Sequence, residues 1–432
     1  MKQLLERTFK LKEYGTTVHR ELMAGLITFL TMSYILVVNP SILSATGMDK
    51  EALFTSTALT AILSTLVMGL YAKLPIAQAP GMGLNAFFAF TVCGVMGYSW
   101  QFALTAVFIE GLIFILLTLF NMRELIVQSI PPVLKEAIPV GIGLFIALIG
   151  LENAGIVVSN QSTLLALGDL SAHSVWIAMF GLLVTAVLYV LKVKSAILIG
   201  IVAATLFGMV TGDVHLPADN VVSMPPSIAP LLFQFDTTHI FSLDMLMIVF
   251  TLLFINLFDT IGTFIGVMER AGLADYSRMK QALLADSIGT TLAGALGCST
   301  VTAYVESTAG VAAGGRTGLT AIGTALLFIL ALFFAPLFLI VPAAATAPAL
   351  IVVGLFMVGS IARIDFNDMG EGIPAFLTII FMPFTYSIAE GIVFGLLSYM
   401  FIKMFTGKAR TIPVALYIIG VLFLIKLVVD AL

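Results

Sequence analysis

Five acidic residues stand inside stretches that are otherwise apolar: Glu110, Asp259, Asp286, Glu306 and Glu390. A carboxyl within a bilayer is costly, and it marks a ligand, ion or proton path unless interhelical hydrogen bonds use it. Two of the five have neighbours suited to chemistry. In Phe254-Ile255-Asn256-Leu257-Phe258-Asp259-Thr260-Ile261-Gly262-Thr263, the residues Asn256, Asp259, Thr260 and Thr263 fall at i, i+3, i+4 and i+7 and share one helical face. That polar stripe reads as a ligand or ion site, with helix–helix hydrogen bonding as its structural alternative. In Ser299-Thr300-Val301-Thr302-Ala303-Tyr304-Val305-Glu306-Ser307, hydroxyl residues interleave with small and apolar ones, as in an extended stretch lining a cavity. Glu306 would then open a short helix, where exposed N–H groups favour a carboxylate; a plain cap is the alternative. Asn85 takes the corresponding place after Gln78-Ala79-Pro80-Gly81-Met82-Gly83, with packing as its other role. Phe87 and Phe88, taken singly, read as core. Glu110, Asp286 and Glu390 lack a comparably polar face and read as structural.

The elements that must position these groups are membrane helices. The chain has 432 residues, of which 60% are hydrophobic and 10% charged, against roughly 25% charged in a soluble domain; mean hydropathy is +1.11. A soluble fold of this size cannot bury that much apolar surface. A soluble enzyme, a nucleic-acid binder and a disordered scaffold are excluded, and the net charge of -4 points to no partner. The N-terminal MKQLLERTFKLKEYG is charged and lacks the apolar core of a signal peptide. Cys93 and Cys298 lie in apolar surroundings, so neither a disulfide framework nor a metal cluster is expected. The four histidines, His19, His173, His215 and His239, fall outside the apolar stretches. That argues against a membrane-embedded enzyme, a histidine relay and any resident metal or cofactor.

Spanning helices need about 20 mostly apolar residues, fewer where they are broken or buried in protein. Continuous candidates are 22–38, 52–72, 99–120, 137–151, 173–191, 195–212, 243–268, 280–297, 317–341, 346–361, 373–385, 388–405 and 413–430, and 76–95 and 298–313 are interrupted. If the N-terminus is cytoplasmic and the first fourteen segments cross, 18 of the 20 basic residues fall inside, Arg123, Arg278, Arg316 and Arg363 among them. Only Lys50 lies outside, Lys426 is in the last segment, and 212–242 carries no Lys or Arg. This is the separation that the positive-inside rule demands. The two broken segments are third and tenth in order. A spacing of seven makes two seven-span halves antiparallel, and Gly143-Leu144-Phe145 after Pro139 weakly matches Gly354-Leu355-Phe356 after Pro348. Inverted repeats with matched discontinuous helices are a mark of secondary transporters, with the binding site near the midplane.

The segments Gln78-Ala79-Pro80-Gly81-Met82-Gly83-Leu84-Asn85-Ala86, Phe258-Asp259-Thr260-Ile261-Gly262-Thr263 and Thr302-Ala303-Tyr304-Val305-Glu306-Ser307 together resemble the AzgA-like purine permeases, over nearly the whole chain from Arg20-Glu21 to about Lys403. The resemblance implies an all-α polytopic fold of fourteen spans in two inverted seven-span repeats, related to the uracil–proton symporter. A core would comprise 22–120 (spans 1–4) and 243–341 (spans 8–11), and a gate 137–212 (spans 5–7) and 346–405 (spans 12–14). Residues 1–21 would be a cytoplasmic segment, 213–242 an extracytoplasmic loop, and 413–430 a hydrophobic appendage with no counterpart in that pattern. It implies import of guanine, hypoxanthine or adenine by proton symport in a cell membrane, a bacterial inner membrane, among lipids and as a homodimer. The resemblance carries over Asp259 and Glu306 as substrate contacts, with Asn85; the residue reading adds Asn256 and Thr263 from the shared face and Phe87 and Tyr304 to the expected substrate-binding set, with Glu306 and Asp259 also moving the proton. The related uracil symporter has a histidine one turn after the span-8 carboxylate. Thr263 stands there in this chain, so histidine-based coupling does not carry over.

The chemistry suits a flat, neutral base with donors and acceptors on its edges. The ring N1–H and exocyclic amine of guanine point the same way and match one carboxylate; hypoxanthine offers one N–H on that edge, and adenine requires a donor, which a protonated carboxyl supplies. Proton uptake by a carboxyl in a dry site neutralises it and lowers the cost of passing the gate. A permease for xanthine, a pyrimidine or another planar solute is the neighbouring alternative. A cation channel with carboxylate rings is the alternative of another class, against which two inverted halves and a central site argue.

Overall fold

The computed structural model describes residues 2–120, 131–160, 162–216, 221–272 and 278–431; Arg123, expected in a cytoplasmic turn, lies outside them. Among the described residues, eight helices are long and apolar enough to cross a membrane, and four shorter apolar helices accompany them: Met82–Val95, Ala196–Val210, Gly318–Leu332 and Met369–Phe384. The chain is a multi-pass helical membrane protein. Helix starts are capped as backbone chemistry requires. Asp49, Ser99, Thr317, Asp368 and Ser387 each accept an N–H of the first turn that would otherwise lack a partner.

The first apolar stretch is not one straight helix. Val18–Met32 stops and Ile35–Leu43 begins, with Ser33 and Tyr34 between them. The 317–341 stretch likewise divides into Gly318–Leu332 and Ala335–Leu339. The two interrupted segments take the expected form, a short extended piece followed by helix. Gln78–Pro80 pairs antiparallel with Val301–Ala303, in the register Gln78↔Ala303, Ala79↔Thr302 and Pro80↔Val301. Extended backbone survives at membrane depth only when its polar groups are met by protein. Here Gly81 N–H donates to Thr300 O at 3.0 Å and Tyr304 N–H to Ala77 O at 3.0 Å. The Gln78 N–H reaches the Thr65 hydroxyl at 2.9 Å. A second strand pair, Val157–Asn160 with Leu164–Leu167, forms in the loop before His173; no sequence signal pointed to it.

Packing sorts the helices into two groups. Val18–Met32, Lys50–Val67, Trp100–Leu119, Met279–Leu296 and Gly318–Leu332 pack among themselves. Pro132–Asn153, His173–Val190, Ala196–Val210, Ala343–Val358, Met369–Phe384 and Ile388–Phe405 form the other set, and Val414–Ala431 lies against Ile388–Phe405. The weakly matched Gly143 and Gly354 turn out to face each other. A Cβ on Gly143 would sit 2.6 Å from Gly354 O, and one on Gly354 would sit 2.4 Å from Gly143 O. No side chain fits that crossing, so the two helices touch backbone to backbone.

Candidate substrate site

Glu306 precedes the short helix Ser307–Ala312 but does not cap it, since its side chain accepts no N–H of that turn. The carboxylate instead accepts the Tyr34 hydroxyl on Oε1 at 2.5 Å. Thr31, one turn earlier, donates to the Glu306 carbonyl at 3.5 Å. The broken first span therefore holds both the backbone and the side chain of Glu306. Sequence reasoning missed Tyr34; a Ser-Tyr pair inside an apolar span was the available signal.

Asp259 is half-buried in Leu243–Ala271, and the Thr302 hydroxyl faces its carboxylate. Asp259, Glu306, Tyr34 and Tyr304 lie within electrostatic reach of one another. Asn85, fully buried, accepts the Ser299 hydroxyl on Oδ1. Its Nδ2 is buried and has no partner among the described residues. An unmet amide donor is expensive to keep dry, so it is a natural place for a ligand acceptor. Tyr304 has its hydroxyl committed to Pro80 O at 2.6 Å, which leaves its ring, not its OH, for substrate. Thr263 is half-buried on the same helix as Asp259.

The expected polar stripe divides. Successive helical residues are about 100° apart, so Asp259 and Thr260 sit at opposite edges of a stripe about 100° wide, enough to face two neighbours. Asp259 turns toward the strand Val301–Ala303. Asn256 and Thr260 turn toward the buried Glu110 and Asp286. Asn256 Nδ2 donates to Glu110 Oε1 at 3.0 Å and to the Thr290 hydroxyl at 3.4 Å. Thr260 donates to Asn256 Oδ1 at 3.0 Å and to Asp286 Oδ2 at 3.1 Å. Gln78 Nε2 reaches Asp286 Oδ1 at 2.8 Å, and the Thr300 hydroxyl reaches Glu110 Oε2 at 2.6 Å. The Asn256 amide is thus engaged through both its nitrogen and its oxygen, and Glu110 and Asp286 tie this helix to Thr300 and Gln78 at the strand pair. Asn256→Leu should strip partners from Glu110 and Thr260 at a cost of about 1–3 kcal/mol each. A thermal-shift assay should register that loss, with the order of preference among ligands unchanged.

Phe87 is fully buried against its own core yet borders a cavity of about 320 Å³, together with Tyr98, Asp244, Thr385, Ser387 and Glu390. The cavity lies between the Phe87 half-span, the start of Leu243–Ala271 and the start of Ile388–Phe405, so Glu390 lines this cavity and not the strand pair. All four histidines are exposed, and no described group of three His, Cys, Asp or Glu residues could hold a metal ion.

A family model described as Permease family matches residues 19–394. The chain is 46% identical to adenine permease AdeP of Escherichia coli, covering 99% of this chain and 97% of that protein. It is 44% identical to guanine/hypoxanthine permease PbuG of Bacillus subtilis, covering 96% and 98%. Nucleobase transporter PlAzg2 of Paenibacillus larvae is 35% identical over 88% of this chain and 76% of that one. Among solved structures, the transmembrane domain of the cyanobacterial bicarbonate transporter BicA superposes with a TM-score of 0.64 at 16% identity, covering 87% of this chain and 97% of that one. SLC26A9 superposes at 0.65 and 9% identity, covering 94% and 69%; these two likenesses concern the fold alone. The family match spans the segments around Asn85, Asp259 and Glu306, the relatives match nearly end to end, and the chain belongs to this permease family, with its AzgA-like members.

Proposed function

We propose that this permease imports purine bases, guanine, hypoxanthine or adenine, by proton symport, with alternating access around the strand pair. The observation that carries this reading is the site's complement of groups. Two carboxylates, Asp259 and Glu306, supply acceptors, and the Asn85 amide supplies a buried donor with no partner among the described residues. A flat base with N–H groups on one edge and ring nitrogens or a carbonyl on another fits that complement. The relatives named as adenine and guanine/hypoxanthine permeases support the same substrate class. Fourteen spans in two inverted repeats are part of the proposal, with 22–120 and 243–341 as core and 137–212 and 346–405 as gate. A carboxyl that takes a proton on one side and releases it on the other would couple the gradient to import. The setting is a cell membrane, a bacterial inner membrane in the simplest case, with a homodimer as the assembly.

Uptake of radiolabelled guanine, hypoxanthine and adenine into cells lacking purine transport tests this directly. Saturable uptake with counterflow, abolished by a protonophore, is the expected result; no uptake of any of the three bases would overturn it. Topology has its own test. With Cys93 replaced, a cysteine at the exposed Gln234 should react with an impermeant maleimide in whole cells, and one at the exposed Asn367 should react only after lysis. The reverse pattern would place the N-terminus outside.

A further inference from the structure

We infer that Tyr34 is a positioning residue that sets substrate preference, because its hydroxyl already sits on Oε1 of Glu306 and competes there with the second hydrogen bond of a paired contact with the base. The inference rests on the purine reading. Tyr34 lies at the break of the first span and is 1% exposed. Its backbone is fixed from both sides. Ser33 N–H donates to Phe29 O at 2.8 Å, and the Tyr34 carbonyl accepts from Val37 and Val38 at 3.0 Å each. At 1% exposure the phenol ring is enclosed by its neighbours as well. No other described side chain hydrogen-bonds to the Glu306 carboxylate.

The consequence follows from counting donors and acceptors. The Tyr34 hydroxyl sits on Oε1 and the residue's own backbone N–H also meets the carboxylate, so Oε2 is the oxygen that Tyr34 leaves unshared for a ligand N–H. When the carboxyl is protonated on Oε2, Tyr34 still donates to Oε1 and the new O–H becomes one donor for a ligand nitrogen. Hypoxanthine, with one N–H on that edge, uses Oε2 and loses nothing. Guanine, with a ring N–H and an exocyclic amine side by side, reaches both oxygens only by sharing Oε1 with the Tyr34 hydroxyl, which weakens its second hydrogen bond. Tyr34 therefore diminishes the advantage that its second donor would give guanine on a free carboxylate.

Equilibrium binding of guanine, hypoxanthine and adenine to purified wild-type and Tyr34→Phe protein tests this. Phe keeps the ring and removes the hydroxyl, so Oε1 of Glu306 is no longer shared with it. The guanine-to-hypoxanthine affinity ratio is expected to rise about tenfold, the value of one added hydrogen bond to a charged group. A purely structural Tyr34 would lower thermal stability and leave the ratio where it was. Tyr34→Met, apolar and adaptable, gives the same readout if the Phe protein is not recovered folded. An unchanged ratio in a folded variant, beside a wild type that binds these bases, rejects the inference. A wild type that binds none of the three rejects the purine reading instead.

Discussion

Glu306→Gln protein is expected to fold, insert and reach the membrane, yet to lose active uptake by at least about a hundredfold. The fold is spared because glutamine keeps the volume, and its amide oxygen can still accept the Tyr34 hydroxyl that holds the side chain in place. Two abilities disappear. The amide cannot take up and release a proton, and where the carboxylate offered Oε2 as an acceptor it offers an NH₂ donor. Hydrogen bonds to charged groups are worth about 1.5–3 kcal/mol, so binding alone should fall about ten- to a hundredfold, before the lost coupling is added. Radiolabelled uptake, normalised to surface-labelled protein and paired with a thermal shift, reads both sides of the expectation. Gradient-driven uptake at the normal rate would remove Glu306 from the mechanism.

Asp259→Ala is expected to abolish transport, and Asp259→Asn to weaken binding about ten- to a hundredfold while reordering the preference among bases. One carboxylate beside the tenth segment meets one polar edge of a purine. A second edge remains, and leaving it unpaired in a dry site costs about 1–3 kcal/mol. Asp259 is only half-buried and faces the strand that leads to Glu306. Its helical neighbours Asn256 and Thr260 are turned into the Glu110–Asp286 network. Asparagine puts a donor where the acid had an acceptor, and that inverts which ring positions are welcome. Competition profiles and melting temperatures measured on the same purified variants separate contact from scaffold. Lost stability with an unaltered preference order would show Asp259 to be scaffold.

Much of this protein can be read along the chain, and the division has a physical basis. A bilayer demands long apolar runs, so the membrane class and the places of the helices follow from composition and spacing alone. The interrupted segments at 76–95 and 298–313 were legible because Pro-Gly-Met-Gly and Ser/Thr-rich stretches do not favour a continuous helix among apolar neighbours. A carboxylate in an otherwise apolar span announces itself by its cost, and so Asp259 and Glu306 could be singled out. Partner choice is different, because it depends on which face of a helix meets which neighbour across hundreds of residues. The sequence put Asn256 and Asp259 on one face. Only the packing of Leu243–Ala271 between the strand Val301–Ala303 and the helix Trp100–Leu119 split that face, giving Asn256 to Glu110 and Asp259 to Thr302. Tyr34 and Glu306 stand 272 residues apart, and nothing local in either foretells the bond. The first span had to break at Ser33 and Tyr34, and the tenth had to begin its short helix beside that break, before a phenol and a carboxylate could meet.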